Sequence, residues 1–143
     1  MVRNEILKEC KIIRQSLPDG LPAGDAVITG GGRLKAKKII HTVGPIWHSG
    51  GQKEAGFLAQ AYENSLALAM KNGIKTISFP SISTGAYGYP INRASKIALS
   101  TVIGFVRKND WFDEIRFVLH SGGDFLLYEE CCRMLLLNGR GGS

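Results

Sequence analysis

Glycines and hydroxyl side chains stand between a strand-like run and a helix-like run in Pro80-Ser81-Ile82-Ser83-Thr84-Gly85-Ala86-Tyr87-Gly88-Tyr89-Pro90. A βα loop of this composition leaves backbone N–H groups without partners. Those amides, with the N-terminus of the following helix, carry partial positive charge. The chemistry on offer is capture of an anion, with a phosphate or diphosphate as the ligand. An ordinary βα turn that uses glycine for its backbone angles is the competing reading.

The elements that must position this loop follow from periodicity. Ile6, Cys10, Ile13 and Leu17 recur at helical spacing, so 4–17 reads as an amphipathic helix stopped by Pro18-Asp19-Gly20. Strands are expected at 25–29 and 38–43, with Gly30-Gly31-Gly32 as the flexible turn between them. Phe57, Leu58, Ala61, Tyr62, Ser65, Leu66, Ala69 and Met70 share one stripe, predicting a helix that Asn72-Gly73 closes. A strand at 75–79 enters the loop. The helix beyond it is expected over 92–106, buried through Ile97, Ala98, Thr101, Val102, Phe105 and Val106. A strand at 114–120 and a last helix carrying Leu127, Cys131, Leu135 and Leu136 complete the order, with 137–143 as a disordered tail. Alternating strands and helices imply one layered α/β domain with a mostly parallel sheet over 1–143. In such sheets ligands sit beyond the carboxyl ends of the strands, where the loops at 80–90 and 120–124 both belong.

Composition narrows the class. The chain has 143 residues, 44% hydrophobic and 21% charged, as a single domain with a core requires. No apolar run approaches the roughly 18 residues of a membrane span, so no membrane partner is expected. Met1-Val2-Arg3-Asn4-Glu5 leads straight into a polar-apolar pattern, unlike a secretory leader. Cys10, Cys131 and Cys132 have no metal-ligand spacing and read as buried reduced thiols of a cytoplasmic protein. The net charge of +6 favours anionic ligands and keeps nucleic acid among the alternatives. Its only tight cluster is Lys35, Lys37 and Lys38, which reads as a solvated face. Trp47, His48 and Tyr87 are the candidate stacking groups, but they are not interleaved with basic residues along one element.

His41-Thr42-Val43-Gly44-Pro45, the helix after it, and the run from Phe79 through Ser83-Thr84-Gly85-Ala86-Tyr87-Gly88-Tyr89-Pro90 together resemble the macro domain family over nearly the whole chain. The branch it looks most like removes mono-ADP-ribose from proteins and deacetylates O-acetyl-ADP-ribose, without metal or other cofactor. The resemblance implies a three-layer α/β/α fold with a mixed, mostly parallel sheet. It assigns Ser83, Thr84, Gly85, Ala86, Tyr87 and Gly88 to the diphosphate and distal ribose, mainly through backbone N–H groups, with Tyr87 as a lid. His120 stands where the family often places an aromatic ring at the adenosine side; a strand-end histidine with no ligand is the alternative.

The family pattern begins with two strands and a loop that nothing before Asn4 matches, so the fold is expected to be N-terminally truncated. Those segments carry the family's adenine-recognising aspartate and its catalytic loop, and no catalytic residue is transferred to this chain. The expected consequences are an exposed sheet edge, open to self-association, and one lost wall of the nucleotide cleft. The implied partner is ADP-ribose or an ADP-ribosylated protein. Three functions remain open: hydrolysis of ADP-ribose esters, non-catalytic ADP-ribose or phosphate binding, and nucleic-acid binding.

Overall fold

The computed structural model describes residues 21–30, 38–51 and 53–141, with side chains described through 137. The helix expected at 4–17 and the turn at 31–32 lie outside the described residues. β1 (Ala26–Gly30) and β2 (Lys38–Thr42) are rich in β-branched side chains and pair antiparallel, from Ala26↔Thr42 to Gly30↔Lys38. Thr29 Oγ1 lies 2.9 Å from His41 Nε2 across this pair.

α1 (Glu54–Lys71) starts one turn before the expected boundary, with acidic Glu54 in its first turn and basic Lys71 in its last. It buries Leu58, Ala61, Tyr62, Ser65, Leu66 and Ala69, the stripe that the spacing predicts. Asn72 and Gly73 close it: the Asn72 amide donates to Leu68 O at 3.1 Å, and Gly73 takes a φ of 74° that only glycine adopts cheaply.

β3 (Thr76–Phe79) and β4 (Glu114–Phe117) pair in parallel, Thr76↔Glu114 through Phe79↔Phe117. α2 (Ile91–Lys108) makes the crossover that a parallel pair requires. Its buried stripe is Ala94, Ser95, Ala98, Leu99 and Val102, displaced from the one the periodicity suggested. Small residues decide the displacement. Ala94, Ser95 and Ala98 on α2, with Ala61, Ser65 and Ala69 on α1, let the two helices approach closely, and among the described helices no pair packs more extensively.

α3 (Gly122–Gly141) packs on α2 and corrects two expectations. Leu127 and Leu136 face solvent, whereas Tyr128 is the residue it buries. The Tyr128 ring sits 5.3 Å from Phe117 and its hydroxyl 2.6 Å from Ser81 Oγ, contacts that rotate the leucines outward.

Both antiparallel and parallel pairing occur, in two separate sheets. Among the described residues the strands form two pairs, β1–β2 and β3–β4. Among the described residues, a cleft of about 1270 Å³ lies between β2 and β3, lined by Lys38–Thr42 on one side and residues 72–83 on the other. Backbone groups on strand edges that lack a neighbouring strand have to be satisfied by water or by a ligand. What holds the halves together is the helical layer: α1 packs on β1 and β2, and the core reaches from Leu58, Tyr62 and Leu66 to Phe79, Leu99 and Tyr128.

Leu66 has no exposed surface, so Leu66→Ala leaves a cavity in that layer. The expected loss is about 2–5 kcal/mol in urea unfolding. A loss well under 1 kcal/mol would show that this layer does not carry the fold.

Candidate anion-binding site

The loop leaves β3 over a floor of tyrosine hydroxyls. Tyr62, fully buried on α1, accepts the Ile82 amide at 3.0 Å and donates to Pro80 O at 3.3 Å. Ser81 Oγ meets Tyr128 OH, and Thr84 Oγ1 donates to Ser81 O at 3.0 Å. Two internal bonds then fold the loop back: Gly88 N–H to Gly85 O at 3.0 Å and Tyr89 N–H to Ser83 O at 2.9 Å. A third bond, Trp47 N–H to Tyr87 O at 2.9 Å, ties it to the segment after β2.

These bonds engage the amides of Ile82, Gly88 and Tyr89. The amides of Ser83, Thr84, Gly85, Ala86 and Tyr87 have no acceptor among the described residues. A consecutive run of N–H groups without an acceptor among the described residues, at the carboxyl end of a parallel strand and before a helix start at Ile91, is an arrangement able to receive an anion without any charged side chain. Gly85 and Ala86 are exposed, and a Cβ added at Gly85 would meet nothing within 4 Å, so the approach is open. Tyr87 is 41% exposed and lines the large cleft together with Ser83, which suits a lid.

Gly88 has a different part from the one expected. Its N–H is engaged by Gly85 O, and its φ of 73° makes it the turn residue that closes the cradle, not a donor to the ligand. Ser83 takes a φ of 68°, a conformation costly outside glycine and held here by the surrounding bonds. Its Oγ is buried and lacks a hydrogen-bond partner among the described residues. His120, expected at the adenosine side, is exposed beyond β4 and is not among the cleft's described lining residues.

Sequence reasoning missed the supports. Gly44 touches the loop so closely that a Cβ there would stand 2.1 Å from Ser83 Oγ and 2.5 Å from Ile82 Cγ2. The glycine before a proline read only as the end of a strand. Glu54 is 2% exposed with both carboxylate oxygens unpartnered. It lies beside Tyr89, whose phenol is pushed up first by burial and then by the Glu54 charge, with Arg93 opposing. Trp47 packs on Tyr89 at 4.7 Å between ring centres, with the Arg93 guanidinium 5.5 Å above it, so its indole is engaged within the protein.

Comparison with known proteins bears on the same residues. A family model described as the Macro domain matches residues 2–98. The chain belongs to the macro domain family. It is 50% identical over 125 residues to a macro domain-containing protein of Caldanaerobacter subterraneus, spanning 87% of this chain and 70% of that one. It is 45% identical over 124 residues to the O-acetyl-ADP-ribose deacetylase of Citrobacter koseri, with the same 87% and 70% spans. The Oceanobacillus iheyensis macrodomain with ADP superposes with a TM-score of 0.88 at 43% identity, covering 94% of this chain and 71% of that one. The Trypanosoma brucei macrodomain in complex with ADP superposes at 0.72 with 34% identity, covering 78% and 46%. The α/β macro domain fold expected from the motif run is therefore the fold of this chain.

Two measurements test how this macro domain holds its loop. Tyr62→Phe leaves the part-buried Ile82 N–H without its acceptor, for an expected loss of about 1 kcal/mol in urea unfolding. The second is alkaline stability. Burial, then the neighbouring Tyr128, raise the Tyr62 phenol far above its usual value, against the Ile82 amide; burial likewise raises Tyr128. The unfolded phenols ionise near pH 10, where the folded ones stay protonated. The unfolded state then binds fewer protons, so stability is full below pH 10 and declines as pH rises beyond it. Tyr62→Phe should flatten that decline; an identical slope in the variant would mean that Tyr62 ionises equally in both states.

Proposed function

We propose that this chain binds ADP-ribose, free or attached to protein, with the diphosphate on the amides of Ser83 through Tyr87. The observation that carries the reading is that run of unpartnered N–H groups, set beside a cleft large enough for a nucleotide. Thr84 is steadied by its own hydroxyl, Gly85 leaves room for the approaching phosphates, and Tyr87 closes over the distal ribose. The +6 charge favours the same ligand by steering.

Hydrolysis of an ADP-ribose ester, the activity for which several relatives are named, is the second half of the proposal. Binding is supported more directly. The only carboxylate among the cleft's described lining residues is Glu114, and it is engaged by Arg116 Nε at 2.7 Å. A nucleic-acid reading loses its main stacking candidate, since Trp47 is held by Tyr89 and Arg93. The unpaired thiols of Cys131 and Cys132 fit the cytoplasm, the compartment we propose.

Calorimetry with ADP-ribose, ADP and inorganic phosphate tests the site. ADP-ribose is expected to bind best and phosphate least. Gly85→Glu places a carboxylate in the cradle and is expected to weaken ADP-ribose at least about a hundredfold. Flat titrations with all three compounds would remove the binding reading. Release of acetate from O-acetyl-ADP-ribose by the purified chain, abolished in the same variant, would establish the enzymatic half; no turnover at high protein concentration would leave a binding module.

A further inference from the structure

Different contacts hold the two ends of the Ser83–Tyr87 run. At the base, Tyr62 and Tyr128 grip Pro80, Ser81 and Ile82, and the Tyr89 N–H closes on Ser83 O at 2.9 Å. The lid residue has another anchor: Tyr87 O accepts the Trp47 N–H at 2.9 Å. Residues 43–51, which include Trp47, leave β2 without forming helix or strand. Regular structure therefore does not fix where that N–H group stands, and side-chain packing has to.

Three contacts fix the indole of Trp47. The Tyr89 ring lies 4.7 Å away between ring centres, tilted by 53°. The Arg93 guanidinium lies 5.5 Å from the indole ring centre. Gly50, at a φ of 83°, comes so near that a Cβ there would stand 2.9 Å from Trp47 Cη2 and 3.4 Å from Arg93 Nη1. These neighbours are themselves held. Tyr89 is 3% exposed and belongs to the core, and buried Glu54, in the first turn of α1, lies beside its phenol.

We propose, resting on the ADP-ribose reading, that Trp47 is the positioning residue of the Tyr87 lid and so sets the preference for ADP-ribose over ADP. The two compounds share adenosine and diphosphate, and the distal ribose is the part that Tyr87 covers. A lid held before binding costs little ordering when the ribose arrives. Loss of the indole loosens residues 43–51 and with them the N–H that holds Tyr87 O. The bonds at Pro80, Ile82 and Ser83 O stay in place, so the diphosphate amides keep their brace. Trp47 acts through Tyr87 without touching the ligand. A general loss of stability would instead weaken both compounds alike.

Calorimetry of the full chain with ADP-ribose and with ADP reads the ratio of the two dissociation constants. Trp47→Ala should weaken ADP-ribose at least about tenfold and change ADP less than about twofold. Trp47→Phe keeps a ring against Tyr89 and should restore most of the preference. In a Tyr87→Ala background, Trp47→Ala should add nothing to the loss of ADP-ribose affinity. Circular dichroism checks that each variant is folded. If Trp47→Ala is not, Gly50→Ala, which crowds the indole from an exposed position, should show the same selective loss in smaller measure. A wild-type chain that binds neither compound would remove the ADP-ribose reading and this role with it. One that binds both equally would overturn the role of Trp47 and leave the diphosphate site standing. Where the wild type prefers ADP-ribose, equal loss of both compounds, no loss of either, or full additivity with Tyr87→Ala would overturn that role alone.

Discussion

The hydroxyl of Tyr62 is the point on which the loop, the core and the divided sheet all depend. Its ring belongs to the apolar interior, 5.1 Å from Phe79 and 6.0 Å from Phe117. Its oxygen meets the first backbone groups beyond β3, at Pro80 and Ile82. Packing energy therefore fixes where the loop begins, and hydrogen bonds fix its direction. A neighbouring pair, Tyr128 and Ser81, repeats the device from α3. Phenols suit this task because they bury a large apolar body and still offer one polar atom. With the base held, the amides of Ser83 through Tyr87 can stay unpaired without the loop collapsing onto itself.

This arrangement places preorganisation in the protein and leaves the polar balance to the ligand. Unpaired amides are tolerable where water reaches them, and Gly85 through Gly88 are exposed. A bound anion would replace that water without rearranging the backbone, which is the condition for electrostatic recognition without a charged side chain. The buried groups that lack partners, Ser83 Oγ and the Glu54 carboxylate, mark where the fold gives up stability around the site.

Division of the sheet has a related consequence. Among the described residues β2 does not pair with β3, and the helical layer joins the two pairs. Side-chain packing, above all the close contact of α1 with α2 through alanines and serines, carries what a continuous sheet would share with its strands. The space between the two pairs is lined by Ser83 and Tyr87 of the loop as well as by the strands.

Much of this was legible in the chain itself. Spacing placed α1, because Leu58, Tyr62 and Leu66 recur with the helical period and Asn72-Gly73 can only end it. The family likeness, carried by His41 through Pro45 and by Ser83 through Pro90, followed from local motifs whose backbone demands are written in glycine and proline. Less was legible where the outcome depends on a partner element. The buried stripes of α2 and α3 shifted because small residues and Tyr128 found better neighbours than periodicity alone could name. Gly88 proved a turn residue, and Gly44 a close-contact residue, only once the segments that approach them were in place. The sequence alone determined the order of elements, the anion-loop composition and the family, since these rest on neighbours along the chain. Tertiary structure alone decided how the Ser83–Tyr87 loop is braced, how the described strands pair and which faces of the helices are buried, because those are set by contacts between residues far apart in sequence.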